Sequence, residues 1–137
     1  MVNSFFKDIA SIPYKLGGRD SSGMDCWGLL VIAYAKLFSI ELPSYADTVW
    51  AVSKSGLTSE DIKQHIACGE IFSCVETPRY GDMVLLNIMG NPVHIGMMLN
   101  DKIMIHTSNS TGIATEDIRG VKWKRRVQGF YRHKRLL

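Results

Sequence analysis

The stretch Ser22-Gly23-Met24-Asp25-Cys26-Trp27-Gly28-Leu29-Leu30 decides the fold, because it joins a polar, glycine-containing loop to a long apolar segment. Ser22 and Asp25 stand three residues apart, a spacing typical of a capping box, and predict that a helix begins here. The N-terminus of a helix carries about half a positive charge, which stabilises a thiolate. Cys26 is therefore a candidate nucleophile. The alternative is a small buried apolar residue, as most free cysteines are.

The residues that follow Cys26 predict a central, buried helix from about Asp25 to Phe38. They are apolar nearly all round the helix, and a helix without a polar face is normally enclosed by the core. A nucleophile at the tip of such a helix is held rigidly, as catalysis requires.

The rest of the chain predicts helices first and strands afterwards. A short helix over Ser4–Ile12, a glycine-rich loop over Tyr14–Gly23, a helix over Ser59–Cys68 and a connector over residues 70–79 precede the strands. Short apolar runs between turn residues predict strands at Asp82–Ile88, Val93–Leu99, Lys102–Thr107, Ile113–Ile118 and Val127–Tyr131. This order indicates an α+β fold with N-terminal helices packed on a C-terminal antiparallel sheet of about five strands. We expect one domain over residues 1–137.

Composition excludes several classes of protein. With 46% hydrophobic and 21% charged residues, the chain is typical of a globular domain, and no apolar run approaches the ~18 residues that span a bilayer. The first residues lack the features of a signal peptide, so we expect synthesis in a cytoplasm without a Sec-type export signal of the chain's own. Three cysteines without a CxxC pair, at Cys26, Cys68 and Cys74, argue against a disulfide framework or a zinc ribbon.

The C-terminal segment, residues 122–137, is strongly basic, with seven Lys/Arg and no acidic residue. Such a charge attracts phosphates, and Trp123, Phe130 and Tyr131 are available for stacking on bases. The alternation around Val127 to Tyr131 is better explained by a final edge strand with cations on its exposed side. Nucleic acid is therefore not the favoured partner. An anionic wall or an acidic protein partner fits this charge equally well.

Two histidines lie in neighbouring predicted strands, and the turn between them decides whether they share a face. A two-residue loop would point His94 and His106 to opposite faces, whereas the three-residue loop Asn100-Asp101-Lys102 puts them on the same face. We prefer the longer loop, because it gathers aliphatic residues on the other face: Ile95, Met97, Leu99, Ile103 and Ile105. It predicts the two histidines as diagonal cross-strand neighbours, within reach of a hydrogen bond or one water.

A cysteine nucleophile needs such a pair of histidines. One imidazole takes the thiol proton and returns it to the leaving amine, while a second group fixes the orientation of that ring. The competing interpretation is a zinc site made of the same three residue types. It is not favoured, because the sequence supplies no clear fourth ligand and no supporting carboxylate. No metal and no cofactor is predicted.

With these residues identified, the chain resembles the NlpC/P60 family of papain-like cysteine peptidases. Any one of the matching blocks would be weak, but they occur in the family's order and at its usual separations. The blocks are Pro13-Tyr14-Lys15-Leu16-Gly17-Gly18, Asp25-Cys26-Trp27-Gly28-Leu29, Gly81-Asp82-Met83-Val84, His94-Ile95-Gly96 and Ile105-His106. The family more often has serine where Trp27 stands, so this position could mark a different substrate preference.

The resemblance implies roles for individual residues. Cys26 would be the nucleophile, His94 the general base and acid, and His106 the group that orients His94. Tyr14 matches the family's upstream tyrosine, whose hydroxyl helps to position the thiolate or the oxyanion, and the Cys26 N–H is a physical candidate for an oxyanion donor. Asp25 either meets a substrate ammonium or caps the helix, and the cap is preferred. Weaker candidates for substrate contacts complete the set: Trp27, Arg19 and Asp20.

The resemblance also implies a substrate and a setting. The family's substrates are the stem peptides of bacterial peptidoglycan, so the expected activity is that of a cysteine endopeptidase. Gly-Gly-Arg-Asp (Gly17 to Asp20), Asp-Cys-Trp-Gly-Leu, Leu42-Pro43 and Gly-Phe-Tyr-Arg (Gly129 to Arg132) look like the branch encoded by tailed phages. Other tail-tip proteins would then be partners, and the protein would be located in the virion tail and act at the cell wall or periplasm. The alternative is a structural tail-assembly module in which the chemistry is dispensable.

Overall fold

The structure, a computed structural model, describes residues 2–15, 17–43, 71–88, 91–108 and 110–137. Within these ranges it contains two α-helices, eight strands and a short 3-10 helix at Lys134–Leu136, an α+β composition as the sequence predicts. In chain order the α-helices and strands are α1 (Val2–Ile9), β1 (Arg19–Asp20), β2 (Gly23–Met24), α2 (Cys26–Phe38), β3 (Phe72–Val75), β4 (Met83–Ile88), β5 (Asn91–Met98), β6 (Ile103–Ser108), β7 (Gly112–Asp117) and β8 (Val127–His133). The predicted helix over Ser59–Cys68 lies outside the described residues.

The chain divides into two compact units, and each unit is built from two segments of the chain. The first unit comprises Met1–Val52 and His106–Ala114, and the second comprises Ser53–Ile105 and Thr115–Leu137. Strands β6 and β7 therefore each contribute residues to both units. The single domain expected from the sequence stays a prediction.

Helix α2 is the centre of the first unit and confirms the helix predicted from the sequence. Its buried residues follow the apolar pattern and are Trp27, Gly28, Leu29, Leu30, Ala33 and Tyr34. The helix ends at Ser39, which adopts the left-handed conformation (φ 55°) while its N–H donates to the Tyr34 carbonyl. Helix α1 contacts α2 and buries Phe5 and Ile9.

The predicted glycine-rich loop contains a small antiparallel hairpin, β1–β2, in which Arg19 pairs with Met24. This hairpin contacts the start of α2. A Cβ atom at Gly28 would collide with the Gly18 carbonyl, and one at Gly18 would collide with Gly23. Glycine at these positions therefore lets the hairpin backbone approach the first turn of the helix more closely than any side chain allows.

The larger sheet has six strands in the order β3-β8-β4-β5-β6-β7, one more than the sequence predicts. The additional strand is β3, which lies in the predicted connector and pairs antiparallel with β8 from Phe72↔His133 to Val75↔Phe130. The prediction of β8 as an edge strand is wrong. Strand β8 has β3 on one side and β4 on the other, because β3 covers the side that the sequence left unpaired.

The turn between β5 and β6 has the register that the sequence predicts. Met98 pairs with Met104 and Met97 with Ile105, and the Leu99 N–H donates to the Ile103 carbonyl at 2.7 Å. Residues 100–102 therefore form the three-residue loop, in which the Asn100 side chain accepts the N–H groups of Lys102 and Ile103, both at 2.8 Å.

A buried ion pair joins the start of β4 to β8 in the second unit. The Arg132 guanidinium donates two parallel hydrogen bonds to the fully buried Asp82 carboxylate, Nε to Oδ1 at 2.8 Å and Nη2 to Oδ2 at 2.7 Å. The Arg79 N–H adds a third donor at 2.9 Å. The bond to Asp82 raises the pKa of Arg132. This bidentate geometry explains why Asp82 tolerates complete burial.

The face of the sheet that carries Met98 and Met104 is covered by an apolar cluster. Trp123, from the segment between β7 and β8, is the largest member and is 3% exposed. The other members are Val84, Leu86, Met98, Met104 and Ile118.

Among the described residues, no helix is both long and apolar enough to cross a membrane.

Candidate active site

Cys26 is the first residue of α2, is not in a disulfide and is partly exposed. The preceding residue, Asp25, has extended backbone angles and caps the helix, since its side chain accepts the Gly28 N–H at 2.8 Å. The cap is therefore Asp25 and not Ser22, whose N–H and hydroxyl instead donate to Asp20. This arrangement places the sulfur at the positive end of the helix dipole.

The Asp25 carboxylate is 3% exposed and accepts hydrogen bonds from three groups. Besides the Gly28 N–H, it accepts the Gly17 N–H at 2.9 Å and Arg19 Nη1 at 2.6 Å. The interpretation of Asp25 as a helix cap is therefore confirmed. A substrate ammonium would have to displace one of these donors from a buried site, so the alternative role is not supported.

The two loop residues that are weak candidates for substrate contacts, Arg19 and Asp20, differ in their exposure and in their hydrogen bonds. The Arg19 side chain is 12% exposed and its Nη1 bonds both Asp25 and the Gly18 carbonyl, so it braces the helix cap. Asp20 is exposed, and its hydrogen bonds from Ser22 lower its pKa. Asp20 therefore lies in a solvated loop, whereas the Arg19 side chain is mostly buried.

Tyr14 lies close enough to Cys26 for their charges to interact. Its pKa is raised to about 12, first by burial and then by the negative charges of Cys26 and Asp25. The backbone holds Tyr14 in place through a bridge to Met24, with the Lys15 N–H donating to the Met24 carbonyl at 3.0 Å. The Tyr14 hydroxyl therefore stays protonated through the neutral range and remains able to donate a hydrogen bond.

Replacing Tyr14 with Phe is expected to lower kcat by about 10- to 100-fold, because the site loses one hydrogen-bond donor while the ring remains. In the wild type, one tyrosine should titrate near pH 12 in the absorbance of tyrosinate, and this transition should be missing in Tyr14→Phe. Because the folded pKa exceeds the unfolded value, Tyr14 stabilises the fold below about pH 10 and loses that contribution as the pH rises towards 12. Unchanged kcat in Tyr14→Phe would contradict the role.

The two histidines are buried strand residues. His94 in β5 is 7% exposed, pairs with Leu86 of β4 and belongs to the second unit. His106 in β6 is 2% exposed and belongs to the first unit, as Cys26 does. The β5–β6 register puts Met98 opposite Met104, and alternation along β5 puts His94 on the face of Met98.

Trp27 does not present a surface to a substrate, contrary to the prediction. It is 1% exposed, and its indole Nε1 donates to the Pro43 carbonyl at 2.8 Å. Helix α2 directs this side chain into the core. Its hydrogen bond to Pro43 holds the segment that follows the helix against α2.

The sequence did not single out Trp123 as part of the site. Its indole stacks on the His94 imidazole, with ring centroids 6.1 Å apart. Because Trp123 lies in the basic segment over residues 122–137, the sequence suggested that it could stack on the bases of a nucleic acid. No group of three or more His, Cys, Asp or Glu side chains suited to a metal ion occurs in the part of the chain that the structure describes.

An α+β fold with a cysteine at the first residue of a buried helix, followed by an antiparallel sheet, defines the papain-like class. Solved structures share this fold. The NlpC/P60 domain of the peptidoglycan hydrolase SagA superposes with a TM-score of 0.57 at 20% identity, covering 95% of this chain and 92% of that chain. A lipoprotein-like NLP/P60 family protein of Staphylococcus aureus gives 0.63 at 20% identity, covering 96% of this chain and 39% of the other.

The chain belongs to the NlpC/P60 family, whose model matches residues 11–132. Among curated relatives, the murein DD-endopeptidase and LD-carboxypeptidase MepS of Escherichia coli K12 is 23% identical over 121 residues, which cover 88% of this chain and 55% of that protein. The probable peptidoglycan endopeptidase LytE of Bacillus subtilis is 27% identical over 124 residues, covering 90% of this chain and 31% of LytE. The chain thus spans about half of MepS and about a third of LytE.

Proposed function

We propose that this protein is a cysteine endopeptidase that hydrolyses the peptide stems of bacterial peptidoglycan, with Cys26, His94 and His106 as its catalytic residues. The observation that carries the proposal is the start of α2. There a partly exposed cysteine that is not in a disulfide follows a buried carboxylate cap, and its negative charge acts on Tyr14. Membership of the NlpC/P60 family and the names of the curated relatives support the substrate class.

In the proposed reaction, His94 takes the thiol proton and the Cys26 sulfur attacks the carbonyl carbon of the stem peptide. The tetrahedral oxyanion receives hydrogen bonds from the Cys26 N–H at the helix N-terminus and from the Tyr14 hydroxyl. The C–N bond breaks as His94 returns the proton to the leaving amine. A water, deprotonated by His94, then cleaves the thioester, and His106 orients the imidazole throughout.

Digestion of purified peptidoglycan tests this proposal. Under reducing conditions the protein should release fragments with a new amine and a new carboxylate at a stem-peptide bond, identified by mass spectrometry. Blocking Cys26 with iodoacetamide should prevent the release. If no new fragment forms while a known peptidoglycan endopeptidase digests the same preparation, the proposed hydrolase is wrong.

We also propose that the enzyme acts as a component of a phage tail tip. The blocks that suggest this branch make specific contacts: the indole of Trp27 bonds the carbonyl of Pro43 in Leu-Pro, and Arg132 of the closing Gly-Phe-Tyr-Arg pairs with Asp82. Mass spectrometry of purified virions from a host carrying the gene should detect the protein. Its absence from infectious particles would contradict the tail location and leave the hydrolase proposal standing.

A further inference from the structure

The imidazole of His94 lies against a buried aromatic wall formed by Trp123. The two ring centroids are 6.1 Å apart and the ring planes are inclined by only 16°. This separation is within the range of favourable offset-stacked pairs. Both side chains are almost completely buried, at 7% for His94 and 3% for Trp123. The stack is thus shielded from water.

Trp123 is itself firmly held. Its side chain belongs to the apolar cluster on the sheet. Its backbone lies in a tight turn, where its N–H donates to the Gly120 carbonyl at 3.1 Å and its carbonyl accepts the Arg126 N–H at 2.7 Å. Two cations lie over the indole, Lys122 Nζ at 5.0 Å and Arg126 Cζ at 5.7 Å from the ring centroid. An indole held in this way can determine the plane of the His94 imidazole that stacks on it.

A strand alone does not set the ring plane of a histidine. The backbone of β5 fixes where the His94 side chain leaves the sheet, but rotation about the bond to the ring (χ2) is broad, with no narrow staggered minimum. Proton transfer requires a ring nitrogen to point at the proton, so this rotation has to be restricted. Stacking against a flat, immobile indole restricts it.

We propose that Trp123 is a positioning residue that fixes the ring plane of His94 for proton transfer; this inference rests on the proposed function, in which His94 is the base. Trp123 does not touch the substrate in this role. It acts only through His94, so its loss should affect the chemical step and leave substrate binding nearly unchanged.

The test compares Trp123→Phe, which keeps a flat ring, with Trp123→Leu, which keeps an apolar side chain without one. On a soluble stem-peptide substrate, Trp123→Leu should lower kcat by about 10- to 100-fold with KM nearly unchanged, as a misoriented catalytic group does. Trp123→Phe should recover most of the loss. Ile118→Ala is the matched control, because it opens the same apolar cluster while the indole of Trp123 is kept, and it should keep kcat close to that of the wild type.

A second readout does not depend on the substrate. The rate at which iodoacetamide alkylates Cys26, followed by peptide mapping to separate it from Cys74 and Cys68, should show a pH profile that Trp123→Leu changes and Ile118→Ala does not. In the NMR spectrum, the ring current of Trp123 should shift the His94 Cε1 proton, and Trp123→Leu should abolish that shift. If Trp123→Leu does not fold, Trp123→Met takes its place.

The outcomes separate the two proposals. If the wild type neither hydrolyses stem peptides nor shows Cys26 alkylation that depends on His94, as judged with His94→Ala, the proposed function fails and the positioning role fails with it. If both properties are present and Trp123→Leu matches Trp123→Phe in kcat and in the pH profile, the positioning role alone is overturned.

Discussion

Replacing Cys26 with Ala is expected to lower the rate of stem-peptide hydrolysis by about 10⁴-fold or more, the scale found when a covalent nucleophile is removed from a hydrolase. Without the sulfur no thioester forms, and only the stabilisation of the oxyanion and the binding of substrate remain. The measurement is the rate of fragment release under reducing conditions. A Cys26→Ala variant that keeps a tenth of the wild-type rate would exclude covalent catalysis by this residue.

The fold should survive this substitution. Cys26 is partly exposed at the first residue of α2, and Ala is the best helix former, so the free energy of unfolding should change little. Cys74 provides the matched control, because it is an exposed free cysteine on β3. Cys74→Ser should hydrolyse at the wild-type rate. Equal losses in both variants would point to a general effect of thiol removal and against a nucleophile.

The same variant separates an enzyme from an assembly module. If the protein belongs to a phage tail, particles carrying Cys26→Ala should assemble normally and penetrate the wall poorly. Particles that assemble and infect as the wild type does would favour the structural module, since infection would then require the fold and not the thiol of Cys26.

The elements that the sequence predicts well are those whose signal is local and periodic. Helix α2 combines a capping residue with a continuous apolar run, and its predicted span of about Asp25–Phe38 matches Cys26–Phe38. The β5–β6 turn was chosen because only one loop length gathers the aliphatic residues on one face, and Met98↔Met104 is the register that this choice requires.

The elements that it misses depend on partners far along the chain. Strand β3 is short and half polar, and it is a strand because β8, over fifty residues away, offers it hydrogen bonds. Once β3 is in place, β8 is no longer an edge. The pairs Asp82–Arg132 and His94–Trp123 also join residues that are far apart in sequence. No pattern in one sequence states which arginine meets which aspartate.

The candidate site divides in the same way. Cys26 and the two histidines are visible from residue type and local pattern, because a helix tip and strand alternation are short-range features. Trp27 and Arg19 were only weak candidates for substrate contacts. The structure instead directs both inward, one to the Pro43 carbonyl and the other to Asp25. The direction of a side chain is set by the packing around it, which the sequence alone does not show.

The buried pair of Arg19 and Asp25 leads to the largest expected effect on stability. Asp25→Ala removes the cap of α2, a loss of about 1 kcal/mol, and leaves the Arg19 guanidinium buried without its carboxylate, a loss of about 3–5 kcal/mol. The free energy of unfolding, measured with urea, should therefore fall by roughly 4–6 kcal/mol. The free energy of unfolding of Asp25→Asn should lie between those of Asp25→Ala and the wild type, because its amide oxygen still accepts one N–H. A loss below about 1 kcal/mol for Asp25→Ala would mean that Arg19 reaches water as soon as the carboxylate is gone.

A double-mutant cycle isolates the charge from the cap. In Arg19→Met the Asp25 carboxylate keeps the Gly17 and Gly28 N–H groups. In Arg19→Met/Asp25→Ala both charges of this pair are gone. The double variant should be more stable than the sum of the single losses predicts, by about 1–3 kcal/mol. It should also alkylate Cys26 more slowly than the wild type near neutral pH, because an uncapped first turn frays and no longer directs its N–H groups at the sulfur. A double variant with the stability of Asp25→Ala and the alkylation rate of the wild type would show that the pair neither stabilises the helix start nor tunes the thiol.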